Sequence, residues 1–300
     1  MVAGVEPDAD IAIVHSVPSK WLMQKYPPLS TPDGGPDSGA YQRIFDSFYR
    51  GAFEAGRQVR MIHARQLHDL EEAARRHPVL IAPALYLADD ATVDWLAEYA
   101  HSGGHLVIGP RTAYADHEGR TRHEPAPGRL TEAAGVHYDE FSNLSGDLGV
   151  HAAAESPLHL PADAVATRWV EGYVVAGADV LVEYDHRHFG RWPAVTTRRH
   201  GAGRVTCVGT VPGRVLAAAL ARWLTPAPVS GWADLPATVT ATTGTSLDGR
   251  RLHVVHNWSG DRAEVTAPVG LTDLLGGDGV PVGARVLLDE RDVRVFASDR

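Results

Sequence analysis

Apolar residues follow a helix-and-strand alternation in the first part of the chain and a strand-only pattern in the last. Val79–Leu85 and Leu106–Ile108 are unbroken apolar runs too short for a helix. Such runs read as strands buried on both faces of a parallel sheet. Between them Val93, Leu96, Ala97 and Ala100 recur at helical spacing behind Asp89 and Asp90. A carboxylate there accepts hydrogen bonds from the orphan N–H groups of a first turn. Gly103-Gly104 stops the helix, because glycine takes the left-handed turn at no steric cost. Upstream, Asp10–His15 and Gln58–His63 read as strands. A helix from Ser38 through Ala55 carries the stripe Tyr41, Ile44, Phe45, Phe48 and Ala52, and Leu67, Leu70 and Ala74 mark a shorter one. This alternation predicts a parallel sheet with helices on both faces. Pro27-Pro28, Pro32, Pro36 and Gly34-Gly35 predict a long loop over Pro18–Asp37, carrying Trp21 and Tyr26.

Past Gly109 the period loosens until a short helix at Leu130–Gly135. Arg168–Val175, Ala178–Tyr184, Ala194–His200 and Arg204–Val208 then read as strands, the last two joined by a hairpin turn at Gly201-Ala202-Gly203. Leu216, Ala219, Leu220, Trp223 and Leu224 form a closing helical stripe. Thr225–Pro236 has the composition of a linker, and residues 1–9 form a polar lead-in. Ala237–Thr243, Leu252–Trp258, Ala263–Ala267, Ala284–Leu288 and Val293–Ala297 are short strands spaced by turns. The expected fold class is therefore α/β, a flavodoxin-like parallel sheet with flanking helices over residues 1–228, followed by a small all-β sandwich over 237–300.

Composition narrows the partners. The chain has 300 residues, a net charge of −9 and no basic cluster longer than Thr197-Arg198-Arg199-His200. That argues against nucleic acid and anionic membrane. A single cysteine, Cys207, allows no disulfide within the chain and no thiolate metal cage. MVAGVEPDAD has neither a basic n-region nor an apolar h-region, and no apolar run approaches a membrane span, so the cytoplasm is the expected compartment.

Open α/β sheets place their sites at the carboxyl ends of the strands. In the amidotransferase-like version of this fold a cysteine sits on a sharp turn after a central strand. Here that turn is Gly109-Pro110-Arg111-Thr112, where proline replaces any nucleophile and Thr112 is the only hydroxyl, with no evident base. Cys207 lies in the strand-like RVTCVG and reads as an inert core thiol. There is no Gly-x-Ser-x-Gly elbow and no phosphate loop. His186 and His188 lack a third ligand at metal spacing, and His253 and His256 read as structural. Glu118, Glu124, Asp139, Glu140, Glu171 and Glu183 are carboxylates of undefined separation. No catalytic residue, metal ligand or cofactor is predicted. Trp21, Trp169, Trp192, Trp232 and Trp258 become sugar-stacking candidates wherever they are exposed.

Four segments carry a resemblance: VLIAPALYLADDATVDWLAEYAHSGGHLVIGPRT, GRLTEAAGVHYDEF, PAVTTRRHGAGRVTCVGT and RLHVVHNWS. Taken in order, from about Asp10 to Phe296, they resemble the C-terminal half of glycoside hydrolase family 42 β-galactosidases. The first three are similar to that family's trimerisation domain, a class I glutamine-amidotransferase-like fold without its catalytic residues. The last is similar to its small C-terminal β domain. The resemblance implies a non-catalytic oligomerisation module, with a trimer favoured. Family enzymes carry both catalytic glutamates on a (β/α)8 barrel, and neither carries over to a residue of this sequence. The implied partners are further copies of the chain, a separately encoded barrel or a galactoside. The alternatives are a carbohydrate-binding protein and the non-catalytic half of a split or truncated β-galactosidase. The expected interface or sugar-facing residues are Trp21, Tyr26, Arg111 and Tyr114, in the Pro18–Asp37 and Gly109–Pro127 regions.

Overall fold

The structure, a computed structural model, describes residues 4–67 and 69–298. The start of the expected 1–9 lead-in and the end of the expected 237–300 sandwich lie outside the described residues. Packing divides the chain into two units, Ile11–Ala52 with Met61–Leu224, and Met1–Asp10 with Phe53–Arg60 and Thr225–Arg300. The fold is mixed α/β with several sheets, none of them closed into a barrel among the described residues.

An eleven-stranded sheet organises the larger unit. Its order is Thr210–Pro212, Val165–Glu171, Leu148–Ala152, Asp179–Tyr184, Pro193–His200, Gly203–Val208, His105–Ile108, Val79–Ala82, Ile11–His15 and Val59–His63, with Phe141–Asn143 branching onto Val165–Glu171. Ile11–His15, Val79–Ala82, His105–Ile108 and Gly203–Val208 run parallel. From Pro193–His200 onward the neighbours are antiparallel. The expected parallel sheet thus covers only the strand–helix half. His200 pairs directly with Gly203, and a connection that short joins only antiparallel strands.

The helix Asp90–His101 starts where Asp89 accepts the Thr92 N–H at 2.8 Å. It buries Val93, Leu96, Tyr99 and Ala100 against Leu80, Leu106 and Val205. The helix Ala40–Glu54 buries Tyr41, Ile44, Phe45 and Phe48. A Cβ on its Gly51 would lie 2.3 Å from the Ala217 Cβ, so this glycine lets the helix Arg214–Leu224 pack backbone to backbone.

The expected loop at Pro18–Asp37 contains a helix, Val17–Lys25. Ser16 caps it, accepting the Ser19 N–H at 3.3 Å. Pro18 falls in the first turn, where a missing N–H costs nothing, and Pro27-Pro28 follow its end. The proline density marks both ends of a short helix rather than a continuous loop.

The smaller unit pairs a six-stranded sheet with the two strands Ala263–Thr266 and Arg285–Leu288. Part of the expected lead-in is one of its strands: Glu6 pairs with Thr245 and Pro7 with Gly244. Gln58 bonds to Asp8 and Thr243, and Asp10 accepts the N–H groups of Gln58 and Val229. These bonds hold three distant stretches of sequence in one unit. Trp232 of the linker-like stretch packs in the core with Val255, Leu288 and Phe296.

Candidate functional site at the Arg111 turn

The strand His105–Ile108 ends at Gly109, whose N–H donates to the Ala82 carbonyl at 2.9 Å. A Cβ on Gly109 would meet the Pro83 carbonyl oxygen at 2.3 Å, so the close approach requires glycine. The chain then turns sharply, with Arg111 at φ 62° and Ala113 at φ 58°. Left-handed backbone at a residue with a Cβ costs about 1–2 kcal/mol. It persists only where the surroundings over-determine it.

Glu171, closing the strand Val165–Glu171, holds the turn. Its Oε1 accepts the Arg111 N–H at 2.7 Å and Trp169 Nε1 at 3.4 Å, and its Oε2 accepts the Tyr173 hydroxyl at 2.9 Å. The Tyr138 hydroxyl faces the same carboxylate without a hydrogen bond of regular geometry. Glu171 is 1% exposed, and burial pushes its carboxyl above the usual range, outweighing the lowering by these donors and by the Arg111 charge. The Arg111 side chain points into a ring of aromatics and the residue is 8% exposed. Its guanidinium carbon lies 3.5 Å from the centre of the Tyr114 ring, 4.3 Å from Phe141, 5.4 Å from Trp169 and 5.7 Å from Tyr86. Among the described residues Nε and Nη1 find no hydrogen-bond acceptor, and the aromatic faces stand in for one. A cavity of about 230 Å³ borders this cage, lined in part by Tyr114, Tyr138, Phe141, Arg122, Glu124 and Asp139.

The structure brings Arg111 and Tyr114 together. Trp21 lies on the helix Val17–Lys25 and Tyr26 at its end, 66% and 71% exposed. Thr112 is buried, and its hydroxyl donates to the Ala82 carbonyl at 2.8 Å. Cys207 is buried in its strand, and its thiol is pushed far up by desolvation. Among the tryptophans, Trp169 and Trp232 are buried, which removes them as stacking surfaces, while Trp258 is 57% exposed. His186 Nδ1 accepts the N–H groups of His188 and Phe189, each at 3.1 Å, and so caps its own turn. His253 lies between Trp232 Nε1 and Ser298 Oγ, and desolvation lowers it to about 4. Sequence reasoning missed the pairing of Glu171 with the turn. The available signal was the spacing of Trp169 and Glu171, which alternation along a strand places on one face.

The cage is a packing site: its carboxylate, its guanidinium and the neighbouring Thr112 hydroxyl all make contacts that hold a strained turn. Fold and site together therefore define an α/β module built for packing. Residues 9–228 match the family model described as the beta-galactosidase trimerisation domain. The chain is 31% identical over 222 residues to beta-galactosidase Bga of Halorubrum lacusprofundi, covering 71% of this chain and 30% of that protein. It is 26% identical over 212 residues to beta-galactosidase LacZ of Heyndrickxia coagulans, covering 70% and 29%. The cold-adapted beta-galactosidase of Rahnella sp. R3 shares the fold with a TM-score of 0.84 at 21% identity, over 100% of this chain and 42% of that one. The solved Halorubrum lacusprofundi beta-galactosidase gives a TM-score of 0.75 at 26% identity, over 98% and 40%. The chain belongs to the β-galactosidase trimerisation domain family. It spans about 30% of the length of the curated relatives it matches.

Proposed function

We propose that this chain is the non-catalytic assembly module of a glycoside hydrolase family 42 β-galactosidase, packing subunits into a trimer. The observation that carries the reading is the family match over residues 9–228. The exposed Trp21 and Tyr26, together on one helix and its end, support it by offering apolar surface for a partner copy. Tyr114 lies at the rim of the same role, and Arg111 acts from beneath by fixing the Tyr114 ring. Within the expected 1–228 assembly domain, residues 11–52 and 61–224 form the packed unit, with the parallel strands and the Arg111 turn supporting a flavodoxin-like, amidotransferase-like layer, while residues 4–10 and 53–60 join the expected 237–300 sandwich. Hydrolysis of a galactoside belongs to a barrel bearing the catalytic glutamates. The compartment is the cytoplasm. No helix among the described residues is long and apolar enough to cross a membrane.

Sedimentation velocity tests the reading. The expected result is a trimer at micromolar concentration that dissociates in the double variant Trp21→Ser, Tyr26→Ser. A monomer at all concentrations overturns it. A second reading, sugar binding by exposed aromatics, is favoured by Trp258, whose ring stacks on His256 at 5.0 Å while Nε1 donates to Thr240 at 2.8 Å.

A further inference from the structure

We infer that Asp278-Gly279, at the edge of the six-stranded sheet, is a site of self-modification, where the folded chain closes a succinimide ring and reopens it as isoaspartate. The chain has three Asp-Gly dipeptides, at 33–34, 248–249 and 278–279. A glycine in second place leaves its nitrogen unshielded by a Cβ and its backbone free to swing toward the preceding carboxyl. Sequence alone makes the three equal, and the fold separates them. Gly34 N–H donates to the Thr31 carbonyl and Gly249 N–H to the Ser246 carbonyl, each at 2.9 Å. Their carboxyls are engaged too. The Thr31 hydroxyl holds Asp33 below the usual carboxylate range. Asp248 accepts the Ser246 hydroxyl at 2.5 Å and Arg250 Nε at 2.9 Å, which hold it at about 2. A carboxylate kept ionised resists attack by a nitrogen nucleophile.

Gly279 is placed differently. It opens the strand Gly279–Val280, the last of its sheet, where Thr272 faces Gly279 and Leu271 faces Val280. Asp273 N–H donates to the Asp278 carbonyl at 2.8 Å. Bonded and non-bonded positions alternate along an antiparallel pair, so Thr272 and Gly279 form a non-bonded pair. The Gly279 N–H therefore points outward from the sheet edge. Asp278 and Gly279 are exposed, and a Cβ on Gly279 would meet nothing within 4 Å. A cavity of about 590 Å³, lined in part by Thr272, Leu274, Gly279 and Val280, brings water to the same peptide.

In the closing step the Gly279 nitrogen gives its proton to water and attacks Asp278 Cγ. The new N–C bond forms as one carboxyl oxygen leaves as water. Charge that develops on the Asp278 carbonyl oxygen as the nitrogen loses its proton meets the Asp273 N–H already in place. Oδ1 of Asp273 accepts the Leu275 and Gly276 N–H groups at 2.8 and 3.0 Å, which fixes that donor in its turn. In the opening step water adds to one of the two imide carbonyls and breaks its bond to nitrogen. Opening at the former main-chain carbonyl leaves the chain running through Cγ, which is isoaspartate, and opening at the other restores aspartate. Water is the only co-reactant. The isoaspartate adds a methylene to the main chain at the outermost strand, while the neighbouring strand keeps its pairing of Thr272 with Ala297 and Asp273 with Phe296.

The test ages the full chain in neutral buffer at physiological temperature. Peptide mapping by mass spectrometry locates isoaspartate, and methylation by a protein isoaspartate methyltransferase counts it. The expected result is isoaspartate at 278 forming at least about fivefold faster than at 33 or 248, the factor set by one ordinary hydrogen bond on the nucleophile. The same chain unfolded in urea is expected to bring the three rates together. Asp278→Ser is expected to remove most of the methyl acceptance of the aged native chain, and Gly279→Val to slow its appearance. Equal rates at the three sites in the native chain, a faster rate at 33 or 248, or an order that unfolding leaves unchanged overturns the proposal. None of these outcomes depends on assembly, so a monomer in sedimentation leaves this inference standing.

Discussion

The backbone N–H of Arg111 donates to Glu171 Oε1 at 2.7 Å, joining positions 60 residues apart in the chain. A buried carboxylate thus fixes a turn whose central residue has a left-handed backbone, while that residue's side chain supplies the nearest positive charge. Neither member is at rest without the other. Glu171 is desolvated and needs donors, and the Arg111 turn is strained and needs an anchor.

Glu171→Ala removes the acceptor for Arg111 N and Tyr173 Oη and leaves the Arg111 charge buried without its counter-charge. The expected cost is about 3–5 kcal/mol, read from urea unfolding. A loss below about 1 kcal/mol would show that the turn does not depend on this anchor.

Glu171 also makes a pH-dependent contribution. Its folded-state pKa is raised above the ordinary 4.5 by burial, so the folded chain binds this proton more tightly than the unfolded chain does. The associated stability is fully present below about 4.5 and is lost as the pH rises through the raised folded-state value. Glu171→Gln keeps an acceptor for Arg111 and has no proton to lose. Wild type is expected to lose stability relative to this variant between pH 4.5 and neutrality. Unfolding curves whose difference is flat across that interval contradict the assignment.

Two substitutions at Arg111 separate strain from stacking. Both remove the contacts with Tyr114 and Phe141, but only glycine relaxes the positive φ. Arg111→Gly is therefore expected to be more stable than Arg111→Ala by about 1 kcal/mol. Equal melting temperatures would show that the turn is unstrained in solution.

Gly51→Ala tests the close helix contact. Alanine favours a free helix by about 1 kcal/mol over glycine. Here its Cβ would lie 2.3 Å from that of Ala217 and 2.7 Å from the Ala217 carbonyl carbon. The contact is expected to dominate, with a net loss of about 1–3 kcal/mol in denaturant unfolding. A stabilised variant would mean that the two helices separate freely.

Cys207 is buried between neighbouring strands, and its thiol is held protonated by desolvation. Modification by a thiol reagent is expected only on unfolding, at the rate of global opening. Rapid labelling of the native chain would place the thiol on an accessible surface.

Local periodicity carried the strand–helix half of the larger unit. The runs at Val79 and Leu106, the stripe from Val93 to Ala100 and the Gly103-Gly104 stop each correspond to an observed element, because burial on one face or on both writes itself into spacing. The hairpin at Gly201-Ala202 was equally legible, since a two-residue turn makes a local demand. Other features have no local signature. The helix Val17–Lys25 was hidden because proline in a first turn and proline after a last turn look alike in a list of loop formers. The strand at Glu6–Pro7 gains its identity only from Thr245 and Gly244, more than 230 residues away. The cage at Arg111 depends on Glu171, Trp169 and Phe141 arriving from a different part of the sheet. Spacing along the chain reports which face a residue shares with its neighbours in sequence, and the sheet order alone decides which distant face it meets.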